Sequence, residues 1–170
     1  MIVLPPSLRD LEEVRQWRNK CMEALRTPFL LTQEQQEEYY RTLCDRKSNT
    51  RMWSFYERES DVRFRRGSMG FGGLENISWE NGRAELSIIL NPSYEGWGHG
   101  KQIVAEILRR GWNELRLAVI IAECYTCNGA MEFWRKMATA YDAHTVILPD
   151  TKYWNGTYYD SLYITFRRQE

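Results

Sequence analysis

The sequence predicts an α+β sandwich, in which helices cover both faces of a mixed β-sheet. Hydrophobic residues recur at helical spacing in four separate segments, and short apolar segments bounded by turn residues lie between them. The continuous apolar run 118–122 is typical of a strand buried on both faces, as strands of parallel pairs are. The predicted order is therefore strand, two helices, three strands, helix, strand, helix and two strands.

The N-terminal part is predicted to form a short strand, Ile2–Leu4, and two helices. Ser7 with Asp10 and Thr32 with Gln35 are each typical of a helix start, because such a pair satisfies two free backbone N–H groups reciprocally. Apolar residues recur at helical spacing after both starts: Leu8, Leu11, Val14, Trp17, Cys21 and Leu25, and then Tyr39, Tyr40 and Leu43.

Three strands are predicted next, as a meander. The segments 52–56 and 68–74 form the first two, joined by the charged segment 57–66. Asn81-Gly82 indicates a two-residue hairpin turn, because both residue types tolerate positive φ, and it leads into Arg83–Leu90 as the third strand.

The C-terminal half follows a glycine-rich connection, 91–100. A long helix is predicted after it, then the strand at 118–122 and another helix. The last two strands, 145–148 and 158–166, flank a second Asn-Gly turn at Asn155-Gly156. The apolar faces of the two helices are Ile103, Val104, Ile107, Leu108, Gly111, Trp112 and Leu115, and then Ala130, Phe133, Trp134 and Met137.

Composition and charge exclude several classes of protein. A chain of 170 residues fits one domain, 1–170, and its 23 basic and 23 acidic residues give no overall attraction to nucleic acid or to an anionic membrane. The apolar run 118–122 is far shorter than the ~20 residues that span a bilayer. The N-terminus lacks the basic start and long apolar stretch of a signal peptide, so we expect a cytoplasmic protein.

The spacing Cys124-x-x-Cys127 is one that can bind zinc or exchange electrons. Zinc would need a second pair of ligands, but Cys21 and Cys44 stand alone, and neither histidine is near them. We therefore expect no metal, and interpret the two cysteines as small apolar residues at a strand end.

The segment 95–101 lies between an apolar strand and an amphipathic helix. Glycines in such a loop leave backbone N–H groups free at a helix N-terminus, where phosphate oxygens bind well. The segment is not a P-loop, because Glu95 and Gln102 stand where glycine and Ser or Thr are required. A dinucleotide fingerprint fails too, because Lys101 or Ile103 would have to be glycine.

The spacing Glu95-x-x-Gly98-x-Gly100 does resemble the signature of the GNAT superfamily of acyl-CoA-dependent N-acyltransferases, in which Gln or Arg precedes x-x-Gly-x-Gly/Ala. Neighbouring segments agree in order: 84–92 resembles the strand before the signature, 118–125 the strand after it, and 127–134 the helix of the form Asn-x-x-Ala-x-x-x-Tyr. Trp17-Arg18-Asn19 and 155–160 resemble the branch that acts on sugar amines and protein N-termini.

The resemblance implies a mostly antiparallel sheet of six to seven strands, in which two central parallel strands, Arg83–Leu90 and 118–124, splay apart. It also implies an N-acetyltransferase that moves an acetyl group from acetyl-CoA to a primary amine by direct attack in a ternary complex. The alternative is a non-catalytic acyl-CoA-binding protein. Trp134 favours this alternative, because it replaces the family's tyrosine acid and an indole N–H cannot supply that proton.

The resemblance implies that three groups of residues in this sequence bind CoA. Pantetheine would pair with the backbone of Ile88, Ile89 and Leu90 like an added strand, and a backbone N–H there could stabilise the oxyanion. Either Cys127 or Asn128 aligns with the family asparagine beside the pantetheine arm. The pyrophosphate loop comprises Glu95, Gly96, Trp97, Gly98, His99, Gly100 and Lys101, with Glu95 departing from the usual residue.

An ammonium acceptor must lose a proton before it attacks, so a carboxylate near the strand ends is the expected base. Glu123, Glu85 and Glu75 qualify, and the candidate acids are Tyr125, Tyr158, Tyr159 and solvent. The acceptor stays open among an aminosugar nucleotide, a protein N-terminus and an amine-bearing nucleobase, the last being the one expected contact with nucleic acid. We expect no membrane partner. Aromatic residues near the C-terminal strands are compatible with a homodimer.

Overall fold

The protein was analysed as a computed structural model that describes residues 1–27, 29–58 and 67–168. Most of the charged connection predicted at 57–66 lies outside these residues. The described residues form four α-helices and seven strands in the predicted order, so the α+β class is confirmed. The elements are β1 (Ile2–Leu4), α1 (Leu8–Lys20), α2 (Gln33–Cys44), β2 (Arg51–Tyr56), β3 (Gly70–Ser78), β4 (Arg83–Leu90), α3 (His99–Asn113), β5 (Val119–Tyr125), α4 (Met131–Ala140), β6 (His144–Trp154) and β7 (Thr157–Arg167).

The seven strands form one sheet in the order β1-β2-β3-β4-β5-β7-β6. All neighbours are antiparallel except β4 and β5, which run parallel. Their pairing extends only from Arg83↔Val119 to Glu85↔Ile121. Beyond Glu85, β4 continues to Leu90 without a strand partner on that side among the described residues, which confirms the splayed parallel pair.

Helices cover both faces of the sheet, as predicted. On one face α3 and α4 bury the larger core cluster, which includes Ile107, Ile120 and Phe166. On the other face α1 packs Leu11, Val14 and Trp17 against β2 and β3, with α2 beside it. Within the described part of the chain, no helix combines the length and the apolar character needed to cross a lipid bilayer.

Both predicted helix starts are confirmed. The Ser7 hydroxyl accepts from the Asp10 N–H at 3.2 Å, and the Asp10 carboxylate accepts from the Ser7 N–H at 2.8 Å. Thr32 and Gln35 form the same reciprocal pair at the start of α2. The first helix nevertheless ends at Lys20, because the backbone at Cys21 (φ −128°, ψ 41°) leaves the helical region. The apolar positions Cys21 and Leu25 therefore lie outside the helix.

The prediction of a two-residue turn at Asn81-Gly82 is wrong. Residues 79–82 form a longer turn, in which Gly82 has a φ of 59° and Asn81 is not in the positive-φ region. The Gly82 carbonyl instead accepts from the N–H groups of Ala118 and Val119, where β5 begins. A true two-residue turn occurs at Asn155-Gly156, whose φ values are 47° and 82°.

Gly73 is required where three strands pack closely. It lies on β3 between β2 and β4, and a Cβ there would overlap the carbonyl oxygen of Arg51 and lie 2.7 Å from the Met52 Cα. We predict that Gly73→Ala lowers the free energy of unfolding by about 3 kcal/mol, because backbone atoms cannot move aside cheaply.

Gly129→Ala is the matched control, because a Cβ at Gly129 would meet no atom within 4 Å. Its stability should stay the same or rise slightly, since alanine restricts the unfolded chain. Urea unfolding of both variants measures the difference, and equal midpoints would contradict the packing of β2 on β3.

Candidate active site

The candidate site begins where β4 and β5 part. Ile88, Ile89 and Leu90 lie on β4 beyond its last pairing with β5, while β3 occupies the other edge of the strand. Backbone N–H and C=O groups alternate between the two edges of a strand, so part of this backbone faces the gap. An extended molecule could add to that edge through main-chain hydrogen bonds.

The glycine loop follows directly and leads into α3. Gly96 and Gly98 have φ values of 80° and 82°, and α3 begins at His99. Apart from the turn that residues 95–98 form among themselves, no backbone N–H from residue 96 to 101 makes a well-formed hydrogen bond to a backbone carbonyl in the described part of the chain. A Cβ on either glycine would meet no atom within 4 Å, so the loop surface is open. Free donors and the positive end of the α3 dipole suit an anion such as a pyrophosphate.

Side chains of the loop leave the amides accessible. Trp97 is 78% exposed, and Glu95 and Lys101 are also on the surface. His99 instead packs edge-on against Tyr94, with ring centroids 5.4 Å apart. The backbone therefore presents donors that an anion could use, and Lys101 is the cation nearest to them in sequence.

The segment before α4 carries the residues that align with the family asparagine. The Cys127 thiol donates to the Glu23 carbonyl at 3.3 Å, whereas the Asn128 side-chain oxygen accepts from the Ala130 N–H at 2.8 Å. Asn128 thus shapes the start of α4. Trp134 lies further along that helix in the core, edge-on to Phe133 with ring centroids 5.2 Å apart.

The structure brings the three candidate bases together in one row. Glu75 on β3 lies directly opposite Glu85 on β4, and Glu85 is opposite Ile121 on β5. Glu123 follows two residues after Ile121, so strand alternation places it on the same face. That face is the one covered by α1 and α2, since Phe71 on β3 shares it and packs in their cluster.

Arg26 joins two of these carboxylates. Its guanidinium donates from Nη1 to Glu85 Oε2 at 2.7 Å and from Nη2 to Glu123 Oε2 at 2.9 Å. The other oxygen of Glu123 accepts from the Ser161 hydroxyl at 2.8 Å. Sequence reasoning missed Arg26 and Ser161, because no local pattern links them to residues so distant in the chain.

Glu75 has a different partner. The Tyr39 hydroxyl donates to Glu75 Oε1 at 3.2 Å. Burial, and then the negative charge of Glu75, raise the pKa of Tyr39 well above its ordinary value. Tyr39 therefore stays protonated at neutral pH and holds Glu75 by a fixed hydrogen bond.

A buried lysine anchors the chain beside Arg26. Lys152 on β6 is 6% exposed, and its ammonium donates to the Leu25 carbonyl. The same ammonium lies 4.9 Å from the ring centroid of Tyr125 and 5.6 Å from that of Trp154. Sequence reasoning missed this residue, since 149–154 carries no strand pattern.

The candidate acids occupy different positions. Tyr125 lies on β5 two residues after Glu123 and on the same face, and burial, followed by the Glu123 charge, raises its pKa. Tyr158 is exposed near the β6–β7 turn and packs on Tyr153, with ring centroids 5.1 Å apart. Tyr159 is opposite Lys152 on the neighbouring strand. Of the three, Tyr125 is the one beside the carboxylate row.

A family model described as an acetyltransferase (GNAT) domain matches residues 1–133. The chain therefore belongs to the GNAT acetyltransferase family, which confirms the resemblance to that superfamily, while the resemblance to one branch of it stays a prediction. It is an N-acetyltransferase whose co-substrate is acetyl-CoA. This result favours catalysis over the alternative of a non-catalytic acyl-CoA-binding protein.

Solved structures share the fold at low sequence identity. A spermidine N-acetyltransferase from Vibrio cholerae in complex with CoA and spermine is 17% identical, with a TM-score of 0.78, covering 98% of this chain and 94% of that one. A ribosomal-protein-alanine N-acetyltransferase from Brucella melitensis is 16% identical, with a TM-score of 0.77, covering 99% and 100%. No curated protein matches the sequence. The similarity to these two structures defines the fold and leaves the acceptor open.

All four cysteines are free thiols, and the described residues contain no group of three metal-ligating side chains. Cys124 is buried in the core, where burial, and then nearby Cys127 and Glu123, raise the pKa of its thiol to about 12.

We predict that a thiol reagent at pH 8 labels exposed Cys44 rapidly and leaves Cys124 unlabelled until the protein unfolds. Mass spectrometry of digests measures both rates, and a Cys124–Cys127 disulfide under air would restore the redox hypothesis.

Proposed function

We propose that the whole chain, 1–170, acts as a single domain that transfers an acetyl group from acetyl-CoA to a primary amine by direct attack. In the ternary complex the amine nitrogen forms a bond to the acetyl carbon and the carbon–sulfur bond breaks. The ammonium proton leaves through a base, and the departing thiolate takes up a proton. The single observation that carries this proposal is the set of amides at 96–101 that are available for a ligand, beside an edge of β4 that pairs with no strand among the described residues.

The two parts of the cofactor fit two parts of this surface. The pyrophosphate would lie on the amides of residues 96–101, with Lys101 adding a charge-assisted contact. Pantetheine would extend along Ile88–Leu90, which brings the thioester carbonyl to a backbone N–H of Ile89 or Leu90. Asn128, Cys127 and Trp134 would border the pantetheine arm from the β5–α4 side.

Glu123 is the base that the geometry supports best. It lies just beyond the point where β4 and β5 part, with its side chain only 15% exposed and one oxygen fixed by Ser161. Glu85 is the first alternative, because it shares Arg26 with Glu123. Glu75 is less well placed, since it lies one strand farther away and is held by Tyr39.

In the proposed reaction the acceptor is a primary amine. The amines to be tested as acceptors are those that the sequence analysis left open. It contains an aminosugar nucleotide and a peptide N-terminus, as for the branch that the sequence resembles, together with an amine-bearing nucleobase. The names of the structural neighbours add a polyamine and an alanine of a ribosomal protein. Thiol release from acetyl-CoA, with mass spectrometry of the product, tests the proposed function. A cytoplasmic location and a homodimer stay predictions.

The glycine loop gives a direct test of cofactor binding. Gly98→Ala forces a side chain into a backbone conformation with a φ of 82° and disturbs the amides around it. We predict that CoA binds at least tenfold more weakly to this variant, as measured by calorimetry, because each displaced amide loses a charge-assisted hydrogen bond.

Gly156→Ala is the matched control, because its φ is also 82° and its Cβ would meet no atom within 4 Å. It carries the same backbone strain in the β6–β7 turn and should bind CoA like the unaltered protein. Equal affinities in the two variants would remove the glycine loop from the proposed site.

The proposed base is tested by Glu123→Gln. The amide keeps the shape of the side chain and can accept from Ser161, but cannot take a proton from the ammonium. We predict that kcat falls by about 100-fold with the KM for acetyl-CoA unchanged, in the range expected for loss of a general base.

Glu85→Gln and Glu75→Gln serve as comparisons for the same measurement. Each removes one carboxylate of the row, and each should lower kcat less than Glu123→Gln does. Unchanged turnover in Glu123→Gln, with a large loss in Glu85→Gln, would transfer the role to Glu85.

A further inference from the structure

The guanidinium of Arg26 occupies the two carboxylates, Glu85 and Glu123, that are the candidate bases of the proposed reaction. It contacts Glu85 and Glu123, which come from two strands that part at this level of the sheet. The side chain of Arg26 is 55% exposed, whereas those of Glu85 and Glu123 are 27% and 15% exposed. The free protein therefore already supplies one positive charge to the two candidate bases from the solvent side.

The backbone beside Arg26 is held on both sides. The Leu25 carbonyl accepts from the buried ammonium of Lys152, and the Thr27 hydroxyl accepts from Arg18 at 3.1 Å. The Glu23 carbonyl, slightly earlier, accepts from the Cys127 thiol. Because these contacts fix the backbone, the guanidinium can move by side-chain rotation but stays near the row of carboxylates.

The carboxylate row and the cations around Arg26 carry equal numbers of charges. Glu75, Glu85 and Glu123 contribute three negative charges, while Arg26, Lys152 and Arg18 bring three positive charges to the same side of the sheet. An acceptor with one ammonium can share the carboxylates with Arg26. Each additional ammonium on an acceptor meets the guanidinium at close range, where partial burial weakens solvent screening.

We propose that Arg26 is a specificity-determining residue, which disfavours polyamine acceptors and favours acceptors with a single ammonium. This inference rests on the proposed function and names the acceptor class for the same site. Arg26 acts through charge beside the base and takes no part in bond making. An amino sugar and the N-terminus of a lysine-free peptide belong to the favoured class, and spermidine belongs to the disfavoured class.

The test compares kcat/KM for spermidine with kcat/KM for glucosamine and for a lysine-free peptide that begins with alanine. Arg26→Gln should raise the ratio of spermidine to either single amine by about tenfold, the effect expected of one charge at this range. Arg26→Lys keeps the charge and should leave the ratio near that of the unaltered protein. Arg109→Gln is the matched control, because Arg109 on α3 also bridges two carboxylates, Glu106 on the same helix and Glu114 just after it.

The outcomes separate this inference from the proposed function. A ratio that is unchanged or lower in Arg26→Gln, or raised equally in Arg26→Lys, would overturn the role of Arg26 as a charge filter. Calorimetry of spermidine with the CoA-loaded protein gives the same comparison without turnover, and Arg26→Gln should bind spermidine about tenfold more tightly. Absence of turnover with every amine would reject the proposed function, while the calorimetric comparison would still decide the effect of Arg26. Melting temperatures of all variants confirm that they are folded.

Discussion

The separation of β4 from β5 is the constraint on which both halves of the site depend. Parallel pairing stops after Glu85↔Ile121, so β4 runs on to Leu90 with one edge that no strand of the described residues covers. The same chain then passes into the glycine loop, where two residues with positive φ turn it into α3. The unpaired strand edge and the free amides are therefore consecutive along the chain, and an extended thioester with a pyrophosphate at its far end can contact both.

In the proposed reaction, the connection between α1 and α2 would form the acceptor side of that gap. The Asn19 side chain donates to and accepts from the backbone of Leu31, which closes the connection on itself. Lys152 on β6 and Cys127 before α4 contact the same connection from the C-terminal half of the chain. Contacts from α1, from the segment before α4 and from β6 thus hold this connection, and the connection carries the exposed guanidinium of Arg26 that contacts the carboxylates. The position of the positive charge of Arg26 therefore depends on contacts from several distant parts of the chain.

Local patterns predicted the elements well, since each carries its own signal. Reciprocal side-chain pairs mark the starts of α1 and α2, and the spacing of glycines marks the anion-binding loop. The turn at Asn81-Gly82 is longer than predicted because the Gly82 carbonyl serves the start of β5, which no local pattern reveals. The edge strand β6 is longer than predicted, since residues exposed at a sheet edge need not be apolar.

The site was only partly predictable, for a related reason. Glu75, Glu85 and Glu123 were identified by their positions near strand ends, and the sheet register explains why they form a row. Arg26 is 59 residues from Glu85 and 97 from Glu123 in sequence, so its role depends on tertiary structure alone. Lys152 likewise could not be identified from the sequence, because its partner Leu25 is 127 residues away in the chain.

In the proposed reaction, replacement of the family tyrosine by Trp134 changes how the thiolate departs. The indole is packed in the core, and it has no proton to transfer at neutral pH. Tyr125 stands nearest the carboxylate row, but burial raises its pKa, so it remains protonated at neutral pH beside the departing thiolate. Transfer from such a phenol is uphill, whereas a hydrogen bond from it to sulfur is favourable. Tyr125 would then stabilise the departing thiolate, and solvent would complete the protonation.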